Sequence, residues 1–161
     1  MDTKQTPTLF LKIVILLIGL ATIFALIRFP LTEGRAANLS LFSIYADPFI
    51  IYAYIASIPF FAGLYQAFKL LGFIGENKVF SLNSVKALKT IKYCAGLLSV
   101  FIFAALVYIK IFHASGDDPA GFIALGILTS FSSIVTATAA AVFEKTLQSA
   151  VDMKSENDLT V

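Results

Sequence analysis

With 161 residues, 58% of them hydrophobic, and a mean hydropathy of +0.87, the chain is far more apolar than a soluble domain, where roughly 45–50% is usual. Four spans of about 20 residues would use half of it and leave no room for a soluble catalytic domain. The formal net charge is only +2, and a single cysteine (Cys94) and a single histidine (His113) exclude an internal disulfide and any cysteine-based metal cluster.

No charged side chain falls between Lys12 and Arg28, between Asp47 and Lys69, between Lys92 and Lys110, or between Asp118 and Glu144. Each stretch is long enough, or nearly so, for a helix crossing a hydrocarbon core about 30 Å thick. The first predicted span covers residues 9–27, with Lys12 and Arg28 snorkelling to opposite interfaces. No small-residue cleavage site follows it, and the bulky Ile27-Arg28-Phe29-Pro30 marks a retained helix rather than a signal peptide. The second span covers 48–68, the third 92–109 and the fourth 119–143, with an amphipathic extension of the fourth to about Met153. Asp47-Pro48 and Asp118-Pro119 each place an N-cap acceptor before a proline whose missing N–H costs nothing at the first helical position. The third helix can start earlier, capped by Ser81 or Ser84, with Val85, Leu88 and Ile91 on one face and Lys86, Lys89 and Lys92 on another.

The expectation is one all-α integral membrane domain over residues 1–161: four transmembrane helices in a compact bundle, joined by a cytoplasmic loop at 69–91 and followed by a cytoplasmic tail at 144–161. Lys4, Lys12, Lys69, Lys78, Lys86, Lys89, Lys92, Lys145 and Lys154 fall on one side, against Arg28, Arg35 and Lys110 on the other. The positive-inside rule then makes both termini cytoplasmic.

The span interiors carry no ionisable residue of the kind that marks proton relays. Their richest polar feature lies in the fourth span, where Thr129, Ser133, Ala137 and Ala141 recur every fourth residue beside Gly126 and Ser130. Small side chains at this spacing let helices approach closely, within the bundle or between protomers of a homo-oligomer; a polar lining for a solute path is the functional alternative. Tyr52 and Tyr54, just inside the second span, serve packing or line a hydroxyl-bearing cavity. His113 beside Asp117 and Asp118 reads as a solvated loop residue or an external pH sensor, and Asn38-Leu39-Ser40 matches the glycosylation tripeptide. No nucleophile–base pair, phosphate loop or metal-ligand cluster appears, so neither enzymatic activity nor a cofactor is expected.

The loop 69–92 has five lysines against Glu76, while the tail sets Asp152, Glu156, Asp158 and the terminal carboxylate against Lys154. Opposite charges on one surface permit the tail to dock on the loop, though exposed pairs are individually weak; the tail can instead be captured by a partner, through its carboxylate or by strand addition.

Tyr65-Gln66-Ala67-Phe68-Lys69-Leu70-Leu71, Phe80-Ser81, Ser84-Val85-Lys86-Ala87-Leu88-Lys89 and the closing Lys154-Ser155-Glu156-Asn157-Asp158-Leu159-Thr160-Val161 resemble the bacterial domain-of-unknown-function family 2975, and Leu9-Phe10-Leu11-Lys12 also fits. The resemblance covers nearly the whole chain and is most specific in the tail. It implies four spans, no assigned activity, and members encoded beside a small helix-turn-helix regulator. It thereby directs attention to a candidate docking surface of Lys78, Lys86, Lys89, Asp152, Lys154, Glu156, Asn157, Asp158, Leu159 and Val161 for a small cytoplasmic DNA-binding regulator. The chain itself is not expected to bind nucleic acid. The competing reading is a small membrane transporter, export accessory or immunity protein, for which Thr129, Ser133 and the second-span tyrosines would matter more than the tail.

Overall fold

The computed structural model describes residues 5–32, 40–112 and 119–159. They form four long helices and one short one: α1 (Gln5–Thr32), α2 (Leu41–Tyr45), α3 (Pro48–Gly75), α4 (Leu82–Phe112) and α5 (Ala120–Leu159). The four long helices are each long and apolar enough to cross a membrane. His113, Asp117, Asp118, Arg35, Asn38, Leu39, Lys4 and Val161 lie outside the described residues.

The helices run beyond the charge-free stretches, and local chemistry sets their ends. Asp47 caps α3, its carboxylate accepting from Phe49 N at 2.8 Å, with Pro48 in the first turn. The other end of α3 lies past Phe68 because Lys69 snorkels instead of stopping the helix, its ammonium 5.1 Å from the Tyr65 ring. That end is closed by Glu76 and by Asn77, whose φ of 57° puts it in the left-handed region that asparagine tolerates. Lys78 N then bonds Phe73 O at 2.8 Å and Asn77 N bonds Ile74 O at 3.2 Å, the paired 6→1 and 5→2 bonds of a Schellman closure. Of the two serines that could cap α4, Ser81 does so: Ser84 N reaches its Oγ at 3.4 Å, and Ser84 itself is fully buried. The link between α3 and α4 thus shrinks to residues 76–81, and most of the stretch expected as loop is helix. Ser40 caps α2, its Oγ accepting from Ser43 N at 3.3 Å.

α1 contains Pro30, which has no N–H to give to the carbonyl of Leu26 four residues earlier. Tyr54 Oη fills that place, donating to Leu26 O at 3.1 Å, and Tyr45 Oη donates to the neighbouring Ile27 O, also at 3.1 Å. Within a bilayer, where no water substitutes, such replacement is what makes a helix-breaking proline tolerable.

Neighbouring long helices run antiparallel and pack in chain order, α1 on α3, α3 on α4 and α4 on α5. Thr8 meets Gly75, Gly19 meets Leu64, Gly63 faces Cys94, and Leu106 lies against Gly126. Among the described residues α1 shares no extensive contact with α5, although the Phe29 and Phe122 rings approach to 6.5 Å at one end. The bundle is therefore a curved row of helices with a groove on one face. At the end bearing the N-terminus, α4 and α5 continue together past Lys92 and Glu144, where Val85, Leu88 and Leu147 form a buried cluster supported by Leu70, Val79 and Val151.

Candidate functional site

Among the buried and half-buried positions along α5, Ile123, Gly126, Ser130, Ser133, Ala137, Ala140, Glu144, Leu147 and Val151 form one series, flanked by half-buried Ala141, Gln148 and Ala150. The steps of that series alternate between three and four residues, a 3.5-residue period that keeps one seam facing a partner helix through a left-handed crossing. The partner is α4 of the same chain. Five of the six small or hydroxyl residues read as helix packing (Gly126, Ser130, Ser133, Ala137 and Ala141) lie on or beside this seam. Thr129 does not: it is exposed, and its hydroxyl donates to Leu125 O at 2.8 Å and Gly126 O at 3.1 Å. The fourfold ridge read from the sequence is therefore one residue off the seam at its start, because a strict four-residue step drifts around a helix of 3.6 residues per turn. Ala140, Glu144 and Leu147 were missed, and the 3.5-residue period is the signal that finds them.

Glu144 is where the seam becomes charged. Its carboxylate accepts from Lys92 Nζ at 2.6 Å, both side chains being largely covered at 16% and 27% exposure. Lys92, grouped by the sequence with the outward lysines of α4, is turned into the α4–α5 interface by this pair. A charged pair on a packing seam makes a slip of one turn costly, since it would leave each partner alone.

The groove holds two adjoining cavities of about 440 and 490 Å³, the second bordered, among the described residues, by α3, α4 and α5. The first is lined by all four long helices, including Phe29, Phe49, Tyr52 and Phe122; the second reaches Gly63, Cys94, Ser133 and Thr136. Phe60, Leu98, Ile102 and Thr129 belong to both. Several hydroxyls border this space, yet their protons are already engaged. Thr22 donates to Ile18 O, Ser57 to Tyr54 O, Ser132 to Leu128 O and Thr136 to Ser132 O, all within 2.7–2.9 Å. Tyr52 Oη crosses to Phe101 O on α4 at 2.7 Å. Tyr52 and Tyr54 therefore tie helices together, and the groove presents a largely apolar wall on which these hydroxyls are turned into backbone.

The charged end is arranged differently. Lys86 and Lys89 are exposed on α4, and Asp152, Lys154, Glu156 and Asn157 are exposed on α5, with Asp158 and Leu159 in its last turn. Lys78 pairs with Glu76 at 2.9 Å and Asp152 accepts from Gln148 at 2.7 Å, so both find partners nearby in sequence. Since α5 remains helical to Leu159, strand addition by this segment would first require unwinding it. From Glu144 to Leu159 the helix rises roughly 22 Å, at about 1.5 Å per residue.

Four packed apolar helices, antiparallel in chain order, define a polytopic α-helical membrane protein. The chain belongs to the family described as Protein of unknown function (DUF2975), whose profile matches residues 31–161. The match leaves nearly all of α1 outside it, including Leu9-Phe10-Leu11-Lys12. A relative described as the uncharacterized membrane protein YoaS of Bacillus subtilis (strain 168) is 47% identical over 161 residues, covering 98% of this chain and 99% of the relative. No solved structure matches the chain.

Proposed function

We propose that this is a non-enzymatic component of the bacterial cytoplasmic membrane whose charged end holds a soluble partner, a small helix-turn-helix regulator, at the cytoplasmic face. The observation that carries this reading is the extension of α5: residues 152–157 are all exposed on a helix that continues past the last packed residue, Val151. A helix held at its base by a buried cluster and carrying Asp152, Lys154 and Glu156 on its surface is a preorganised docking element. Its acidic groups complement the basic DNA-facing surface of a small regulator, and such complementarity steers encounter. Both termini are cytoplasmic in this reading, as the distribution of lysines requires.

The test is a crosslinked pull-down from native membranes, comparing the full chain with a version ending at Val151. That truncation keeps the Val85–Leu88–Leu147 cluster and its Val151 support. Recovery of a small DNA-binding protein with the full chain alone is the expected result; equal recovery with both, or with neither, removes the reading. The apolar groove favours a second reading, a carrier for an apolar solute. It predicts that bulky substitutions facing the groove at Thr129 or Thr136 abolish solute flux while truncation at Val151 leaves it intact.

A further inference from the structure

A separate cavity of about 320 Å³ lies between the first turns of α1 and the last turn of α3, bordered by Thr6, Thr8, Lys12, Gly72, Gly75 and Glu76. It differs from the intramembrane groove in carrying charge. Its depth is set by Lys12, which lies in the first turns of the span beginning near Leu9 and snorkels to the interface, so the cavity opens at the level of lipid headgroups. Two glycines line it, and a methyl group on either would make ordinary contacts with the α1 side chains across the cavity. A Cβ on Gly72 would stand 3.7 Å from Lys12 Nζ, and one on Gly75 would stand 3.5 Å from Thr8 Oγ1.

Its lining carries one cation, Lys12, and one carboxylate, Glu76, and the carboxylate is already engaged by an ammonium outside the cavity. Glu76 accepts from Lys78 Nζ at 2.9 Å, and that hydrogen bond is the first cause holding its carboxyl below the ordinary range. Lys12 is half-buried and lies over the Phe68 ring at 5.3 Å; its charge reaches Glu76 only as a weaker, secondary influence. Lys78, outside the cavity, neutralises Glu76, so Lys12 is the lining charge without a counter-ion, on a wall that also carries the Thr6 and Thr8 side chains. A volume near 300 Å³ is at the small end of ligand pockets.

We propose that this cavity binds the phosphodiester headgroup of an anionic glycerophospholipid, with Lys12 as its counter-ion and the acyl chains lying in the membrane beside α1 and α3. With Glu76 held by Lys78, the single charge of Lys12 matches a phosphodiester monoanion with an uncharged, hydroxyl-bearing head. A headgroup carrying its own ammonium would set a second cation beside Lys12. An ammonium–phosphate contact at this depth is charge-assisted and partly shielded from water, which strengthens it over a fully solvated pair.

The test uses the full chain, delipidated in detergent, with lipid retention measured by native mass spectrometry during titration of phosphatidylglycerol, phosphatidylcholine or glycerol phosphate. Wild type should retain phosphatidylglycerol in preference to phosphatidylcholine. Lys12→Met should weaken that retention about tenfold or more, as expected for loss of a hydrogen bond to a charged group. Gly72→Leu should weaken it equally by filling the cavity without altering charge. Lys69→Met removes a lysine of the same helix end that lies outside the cavity, and should leave retention within about twofold of wild type. Retention unchanged in Lys12→Met, or reduced as much in Lys69→Met, would overturn the proposal in favour of unspecific attraction to basic residues. Glycerol phosphate competing as well as the lipid would reassign the cavity to a soluble anion. If Gly72→Leu fails to fold, the Lys12 and Lys69 variants decide alone.

Discussion

α1 and α5 cross the same membrane, but only one of them is engaged along its length. α1 is the more apolar, and none of the residues in its most apolar stretch is buried inside the protein. α5 is richer in serine, threonine and alanine, and it carries a continuous seam against α4 from Ile123 to Val151. Hydropathy therefore measures the solvent a helix tolerates and says little about what it packs against. Lipid tails are as apolar as leucine, so apolar surface alone does not drive helices together in a bilayer. Close approach does, and small side chains permit it.

The largest test of this contrast lies where the α4–α5 pair leaves the membrane. Leu88→Ala should cost about 2–5 kcal/mol, because it opens a cavity in the cluster with Val85 and Leu147. The matching truncation on α1, Leu20→Ala at a side chain 63% exposed, should stay within about 0.5 kcal/mol. Denaturant unfolding in detergent compares the two, and equal losses would erase the distinction between the helices. Next in size is overpacking. Ala140→Leu inserts bulk at a position 4% exposed and should cost about 1–3 kcal/mol, whereas Ala25→Leu on the open face of α1 should be near neutral by the same measurement.

A finer test concerns Gly126, where an added Cβ would overlap Leu106 Cδ2. Gly126→Ala should destabilise by about 1 kcal/mol in the native background, the clash exceeding the gain in helix propensity. In a Leu106→Ala background the same substitution should become stabilising, because only the propensity gain of up to about 1 kcal/mol is left. A cost that persisted there would place the constraint elsewhere than the α4–α5 contact.

The smallest effect is electrostatic and belongs to neither helix seam. Glu76 has its carboxyl held below its ordinary value of 4.5, first by the hydrogen bond from Lys78 and then by that ammonium's charge. A lowered folded-state value means that the pair contributes fully above pH 4.5 and loses its contribution as the pH falls through the lowered value. The pair is exposed and screened, so the effect is slight. Glu76→Gln should flatten this acid-side decline in unfolding temperature, and an unaltered decline would assign it to other carboxylates.

The spans and the Asp47 cap were legible because their causes are local. A charge-free run of about twenty residues has one favourable environment, and Asp47-Pro48 carries its own capping chemistry. Ser81 was legible only as one of two candidates. The choice between it and Ser84 depends on Ser84 being enclosed, its hydroxyl 3.3 Å from Lys78 O. The inward turn of Lys92 was not legible, since the same helix presents Lys86 and Lys89 to solvent and nothing in its own stretch distinguishes the three. Its partner Glu144 is 52 residues away.

The four crossings, their order and the apolar character of the interior follow from residue type and spacing, because hydrocarbon imposes the same demand on every segment it meets. Which face of each helix meets its neighbour does not follow, since in lipid every face is apolar enough to lie against lipid or protein. The α5 seam, the role of Tyr54 in completing the backbone at Pro30, the Lys92–Glu144 pair and the two cavity systems all arise from contacts between helices distant in sequence. They exist because four specific surfaces fit together at close range, where a missing Cβ or one hydroxyl decides the approach.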